Sequence, residues 1–180
     1  MKTKVSRVLA RVAHICFQVT AMAGVLITVT GCTGYRLGST LPPELKTIHV
    51  PTFVNETGEP LVEAETTSAA IAEFQKDGTL SVVPEAQADL VLKVVLTGYR
   101  LEPIRFQRDN VKQTSEYRLR LDASLRCVRT SDESVLTSRK LIGETTFFPS
   151  GSMSVAKQQA LPDAAQDLAR DVVSAVVEAW

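Results

Sequence analysis

The chain has 180 residues, 20 basic and 20 acidic side chains, and 44% hydrophobic residues, the profile of an ordinary globular protein rather than a disordered one. That balance excludes a basic nucleic-acid-binding domain. Two histidines in the whole chain exclude multi-histidine metal centres and leave almost nothing for a histidine-based triad.

The N-terminus begins with Lys2, Lys4, Arg7 and Arg11 and no acid. Residues 12–30 then carry no charged side chain, and the run closes on Val29-Thr30-Gly31-Cys32. A basic n-region, an apolar h-region and a small-residue cleavage site form a secretory leader. A cysteine directly after the small residues reads as a lipobox, so residues 1–31 are expected to be removed and Cys32 to be acylated. Gly31 leaves the backbone open to a peptidase. A retained transmembrane anchor is the competing reading, since 19 uncharged residues approach a membrane span. The polar His14, Gln18, Thr20, Thr28 and Thr30 count against it.

Cleavage leaves 149 residues with 16 basic and 20 acidic side chains, a net charge of −4. Cys16 leaves with the leader and Cys32 is acylated, so Cys127 has no disulfide partner within the chain. The charge is uneven. Tyr99 to Lys140 holds ten basic and six acidic residues, and the rest of the mature chain holds six and fourteen.

Residues 32–44 (CTGYRLGSTLPPE) read as a lipidated tether, with residues 45–180 as one α/β domain. Lys46 to Val54 reads as a first strand that Pro51 confines to an edge or a bulge. Pro60 suits a helix start. Leu61, Ala64, Ser68, Ile71 and Phe74 or Gln75 recur at helical spacing, and Asp77-Gly78 stops the helix. Thr79 to Val83 continues extended. Asp89 to Leu101 is apolar on both faces, hence a central strand, and residues 102–112 read as a polar loop or a frayed extension.

Glu116 to Arg129 alternates most cleanly. Tyr117, Leu119, Leu121, Ala123, Leu125 and Cys127 face one way, and Arg118, Arg120, Asp122, Ser124 and Arg126 the other. Thr130 to Ser134 is a turn and Val135 to Phe148 the returning strand. The final stretch puts Leu161, Ala164, Ala165, Leu168, Val172, Ala175, Val176 and Ala179 on one stripe. Pro162 either starts that helix or kinks a longer one from near Ser154. The expected fold is an α+β two-layer sandwich, β-α-β-β-β-α. Its mixed four-stranded sheet carries two α-helices on one face and leaves the other open.

No catalytic constellation emerges. There is no P-loop, G-x-S-x-G or HExxH motif. Glu63 and Glu65 are two apart on a helix and point away from each other. The chain therefore reads as a non-enzyme with no cofactor besides the lipid on Cys32. Arg118, Arg120 and Arg126, with Arg139 or Lys140 from the next strand, are the candidate contacts for anionic headgroups or an acidic protein wall. The competing reading makes them solvated residues that protect the sheet.

Several segments resemble one family. Gly34-Tyr35-Arg36-Leu37-Gly38 after the cysteine, Ile48 to Thr57 (IHVPTFVNET), Asp77-Gly78, Ala88 to Leu92 (ADLVL) and Tyr99 occur in the order seen in the lipopolysaccharide-assembly lipoproteins, the LptE family. Pro162 departs from that pattern. The resemblance implies an outer-membrane lipoprotein facing the periplasm. It would plug and help assemble an LptD-like β-barrel, contact lipopolysaccharide and catalyse nothing covalent. Thr33 after the cysteine is compatible with outer-membrane sorting. Two further readings share parts of the pattern. One is another envelope lipoprotein that activates a cell-wall or outer-membrane machine. The other is a lipid-anchored hydrolase using unconventional carboxylates, which the dispersed acids disfavour.

Overall fold

The computed structural model describes residues 41–107, 110–149 and 151–179, with side chains outside 106–115. The leader, Cys32 and most of the tether lie outside the described residues. The elements are β1 (Thr47–His49), β2 (Val54–Asn55), α1 (Val62–Asp77), β3 (Ser81–Val82), a 3-10 turn (Glu85–Gln87), β4 (Leu90–Gln107), β5 (Asn110–Arg129), β6 (Val135–Phe147) and α2 (Met153–Val177). They form an α+β two-layer sandwich with a mixed sheet ordered β3-β1-β4-β5-β6, and β2 also pairs with β4.

The sheet has six strands where four were expected. Pro51 has no N–H to give a ladder, so the first strand divides into β1 and β2, both parallel to β4. The extended stretch after α1 becomes β3, parallel to β1. Of the two alternatives for residues 102–112, the strand extension holds for those described: β4 runs to Gln107 and β5 starts at Asn110, paired with local register shifts. Pro103, Ile104 and Arg105 are exposed there, so no hydrophobic pattern announces this extension.

The stripe on α1 follows the spacing only at its C-terminal end, where Phe74 is buried and Ile71 half-buried against the core. Val62, Thr66, Thr67, Ala70 and Phe74 are buried, whereas Leu61, Ala64 and Ser68 are exposed. Burying threonines is tolerable because their hydroxyls are bonded. Thr66 Oγ1 donates to Val62 O (2.7 Å) and Thr67 Oγ1 to Glu63 O (2.6 Å), and Thr67 Oγ1 accepts from Phe53 N (3.0 Å). Pro60 lies outside the helix, and Leu61 precedes it at φ 67°. The stop is as read: Gly78 adopts φ 74° and its N–H donates to Phe74 O at 3.0 Å. The second helix passes through Pro162 from Met153 to Val177, so the longer of the two alternatives holds.

The core lies between the helices and one sheet face. Leu90, Leu92, Val94 and Leu96 of β4 and Leu119, Leu121, Ala123, Leu125 and Cys127 of β5 are buried there, against the alanine- and valine-rich stripe of α2. A fully buried leucine contributes roughly 1.5–3 kcal/mol and a surface ion pair roughly 0–1. This face therefore holds the fold and leaves the opposite face free to carry charge.

Asp89 ties the sheet together at the start of β4. Its Oδ2 accepts from Lys46 N and Thr47 N (3.0 Å each) and from Thr47 Oγ1 (2.8 Å), while Asp89 N donates back to Thr47 Oγ1 (2.9 Å). The Lys46 N–H, then the Thr47 hydroxyl, hold its carboxyl below the ordinary value of 3.8. A depressed pKa stabilises the fold at pH above that ordinary value, and the contribution is lost as pH falls through the lower, folded-state value. Asp89→Ala is expected to cost about 1–3 kcal/mol at neutral pH. The gap to the parent should narrow below pH 3.8. Urea unfolding at pH 7 and pH 3 measures both; an equal gap at the two pH values would refute the charge-assisted role.

Candidate functional site: the open face of the sheet

Cross-strand register places the charged residues. Arg118, Arg120 and Arg126 of β5 stand opposite Glu102, Arg100 and Lys93 of β4. On the other side they stand opposite Thr146, Glu144 and Ser138 of β6. Directly opposed residues share a face, and Leu119, Leu121 and Leu125 on the alternate positions are buried under the helices. All three arginines therefore lie on the open face, as expected.

The choice between Arg139 and Lys140 is settled by pairing. Lys140 stands opposite Ser124 and joins the open face, whereas Arg139 stands opposite Leu125 on the helix side and is exposed at the sheet edge. Arg139 is thus not brought together with the other candidates.

Two cations escaped the sequence reading. Lys93 and Arg100 are seven residues apart, which strict alternation would put on opposite faces. A β-bulge intervenes: the register shifts between Leu96 and Gly98, with Thr97 as the extra residue. Lys93 and Arg100 consequently lie on the same face. The Thr97-Gly98 pair inside an apolar strand was the available signal, because glycine inside a strand often marks a bulge.

Asp122 organises the ground beside this bulge. It accepts from Arg100 Nη2 and, at 3.1 Å, from Arg120 Nε. Its carboxylate leans over Gly98, where a Cβ would sit 2.6 Å from Asp122 Oδ2. These groups, with Thr97, Ser124, Lys140, Ile142 and the loop residues Glu56 and Thr57, line an open depression of about 670 Å³. Farther down the hairpin, Arg118 pairs with Glu144 at 3.8 Å and Arg105 with Glu116 at 3.4 Å. Among the described residues, Lys93, Arg126 and Lys140 have no ion-pair partner. The face therefore has a paired half near the hairpin tip and an unpaired cationic half.

Among the described residues no group of three or more His, Cys, Asp and Glu side chains could hold a metal. Cys127 is buried and its thiol is pushed up to about 12 by burial, so it stays protonated. His49 Nδ1 lies 3.1 Å from Val83 O between parallel strands, a structural role. No described helix is long and apolar enough to cross a membrane.

A family model described as "LptE: Lipopolysaccharide-assembly" matches residues 45–176, nearly the whole described domain. The chain belongs to the LptE family. It is a family of lipopolysaccharide-assembly lipoproteins rather than enzymes. No curated protein matches the chain. Among solved structures, the hypothetical protein CT253 from Chlamydia trachomatis shares the fold with a TM-score of 0.53 and 11% identity, over 74% of this chain and 98% of that one. Protein XCC0632 from Xanthomonas campestris has a TM-score of 0.50 and 14% identity, over 76% and 88%. At such identities the likeness is one of fold alone.

Proposed function

We propose that this LptE-family chain is anchored through Cys32 to the periplasmic face of the outer membrane. There it plugs and helps assemble an LptD-like β-barrel that carries lipopolysaccharide to the cell surface, and it offers its open sheet face to that glycolipid. The observation that carries the lipid contact is the cationic half of the face, where Lys93, Arg126 and Lys140 have no counter-anion among the described residues. Phosphate and acidic sugars supply the missing charge, and arginine can grip phosphate with two N–H donors.

The test is charge reversal at the unpaired positions. Arg126→Glu with Lys140→Glu is expected to weaken lipopolysaccharide binding by about tenfold or more, the loss of one charge-assisted contact or better. Arg118→Glu, which also leaves Glu144 without its pair, serves as the comparison on the paired half and is expected to lose less. A large β-barrel should co-purify with the parent and with both variants. Undiminished glycolipid binding by the double variant would reject the assigned surface.

A further inference from the structure

The sheet ends in two unlike edges. β3 closes one side with two residues, whereas β6 runs for 13 along the other. An edge strand presents a row of N–H and C=O groups that its sheet neighbour does not use. One bond fixes the direction of that row on β6: Glu144 N donates away from β5, to Asp167 Oδ2 of α2, at 3.0 Å. Pairing with β5 is unbroken from Phe147 to Thr137, so every second residue repeats this orientation. Ile142, Lys140 and Ser138 therefore also turn their N–H and C=O groups outward. All three residues are exposed, and among the described residues nothing bonds to those outward groups.

The side chains beside this stretch choose among occupants. Arg139 is exposed on the helix side of the sheet and has no ion-pair partner among the described residues. An antiparallel second copy centred on the stretch would set Arg139 and Lys140 beside the same residues of its mate, and like charges on paired strands repel. A strand with an acidic side chain opposite Arg139 avoids that penalty and gains an ion pair.

We infer that Ser138 to Ile142 is a docking edge for an extended segment of a partner protein, which joins the sheet as a further strand and sets a carboxylate against Arg139. The inference rests on the proposed β-barrel partnership and names one of its contacts. A closed barrel has no free strand edge to give, so the added strand comes from a loop or terminal arm of that partner. Backbone hydrogen bonds supply affinity in such strand addition, and alternate side chains supply selectivity. Asp167 limits the added strand at Glu144, whose outward N–H it already occupies.

The experiment follows amide hydrogen exchange in the full chain alone and in the complex that co-purifies with a large β-barrel. Exchange across Ser138 to Ile142 is expected to slow by about tenfold or more in the complex, through the hydrogen bonds made there. Ile142→Pro removes an outward N–H and no bond to β5, a position where an edge strand tolerates proline, and should lower barrel recovery by about tenfold. Arg139→Glu should lower it too, by repelling the partner's carboxylate, while Arg139→Lys keeps it. Both Arg139 variants should hold the parent's thermal midpoint, because the residue is exposed; they decide the matter if Ile142→Pro fails to fold. Unslowed exchange in a complex that still contains the barrel would overturn the docking edge and leave the partnership standing. A parent chain that retains no barrel would overturn both. The same slowing in the chain alone, in step with dimerisation, would overturn the inference in favour of a second copy. Slowing by added lipopolysaccharide without the barrel would overturn it in favour of the glycolipid.

Discussion

Gly143→Val is expected to destabilise this protein by about 3 kcal/mol or more, at or beyond the upper end of ordinary overpacking. Gly143 is buried on β6, opposite Leu121, where α2 packs directly against the strand. A Cβ there would lie 2.5 Å from Leu168 Cβ, 2.6 Å from Ala164 O and 2.7 Å from Leu168 N. Two of those three atoms belong to helix backbone and cannot rotate aside, so the whole helix must move. That movement would loosen Ala164, Ala165 and Leu168 from the core together. The clamp beside it would go as well, because Asp167 Oδ2 accepts from Glu144 N at 3.0 Å. Against a typical total stability of about 5–15 kcal/mol the loss is severe. Ile142→Thr, one residue away on the open face, is expected to change stability by about 0.5 kcal/mol at most, as exposed substitutions usually do. Urea unfolding of the two variants provides the comparison. A Gly143→Val protein as stable as its parent would mean that α2 does not sit against β6 at this distance.

The second large effect concerns the anchor. Under the proposed function, Cys32→Ala should abolish incorporation of labelled palmitate and reduce recovery in the outer-membrane fraction by about tenfold or more. The physical basis is that one acyl chain holds a protein only marginally, whereas two or three together hold it firmly. Removing the thiol removes them all in one substitution. The expected phenotype is loss of anchoring with the domain still folded, because the hydrophobic core is drawn from residues 45–176. Circular dichroism of the variant checks the fold, and fractionation checks the location. Undiminished palmitate labelling in Cys32→Ala would refute the lipobox assignment. Normal outer-membrane recovery without label would move the anchoring role to the barrel partner.

Some of this architecture was readable one strand or helix at a time. The alternation from Glu116 to Arg129 placed five core side chains, Leu119 through Cys127, and all three arginines on the correct faces. A two-residue period over that length admits one assignment, since a slip by one would bury the arginines. The alanine-rich stripe of α2 was legible from the helical period, which put Ala164, Ala165, Leu168, Val172, Ala175 and Val176 on the buried side. The stop at Gly78 needed only local backbone chemistry.

Other features depended on partners distant in sequence. Thr66 and Thr67 are buried because α1 meets β2 and the rest of the core there, and hydroxyls bonded back to the helix make that burial cheap. Nothing in the local spacing marks them as core residues. Residues 102–107 lack a hydrophobic pattern because β4 is exposed at Pro103 to Arg105, and pairing with β5 makes the strand. The split of the first strand at Pro51 was half visible, since proline announces a break but not which neighbour each half will join.

The charged face shows the division most clearly. Amino-acid order was sufficient to state that Arg118, Arg120 and Arg126 share a face, because alternation along one strand is a property of that strand. It could not tell Arg139 from Lys140, nor recruit Lys93 and Arg100. Those assignments require cross-strand register and the extra residue at Thr97, which come into being when β4, β5 and β6 lie side by side. A single inserted residue reverses every side chain beyond it. The charged surface therefore emerges from how strands align, while the core follows from what each strand contains.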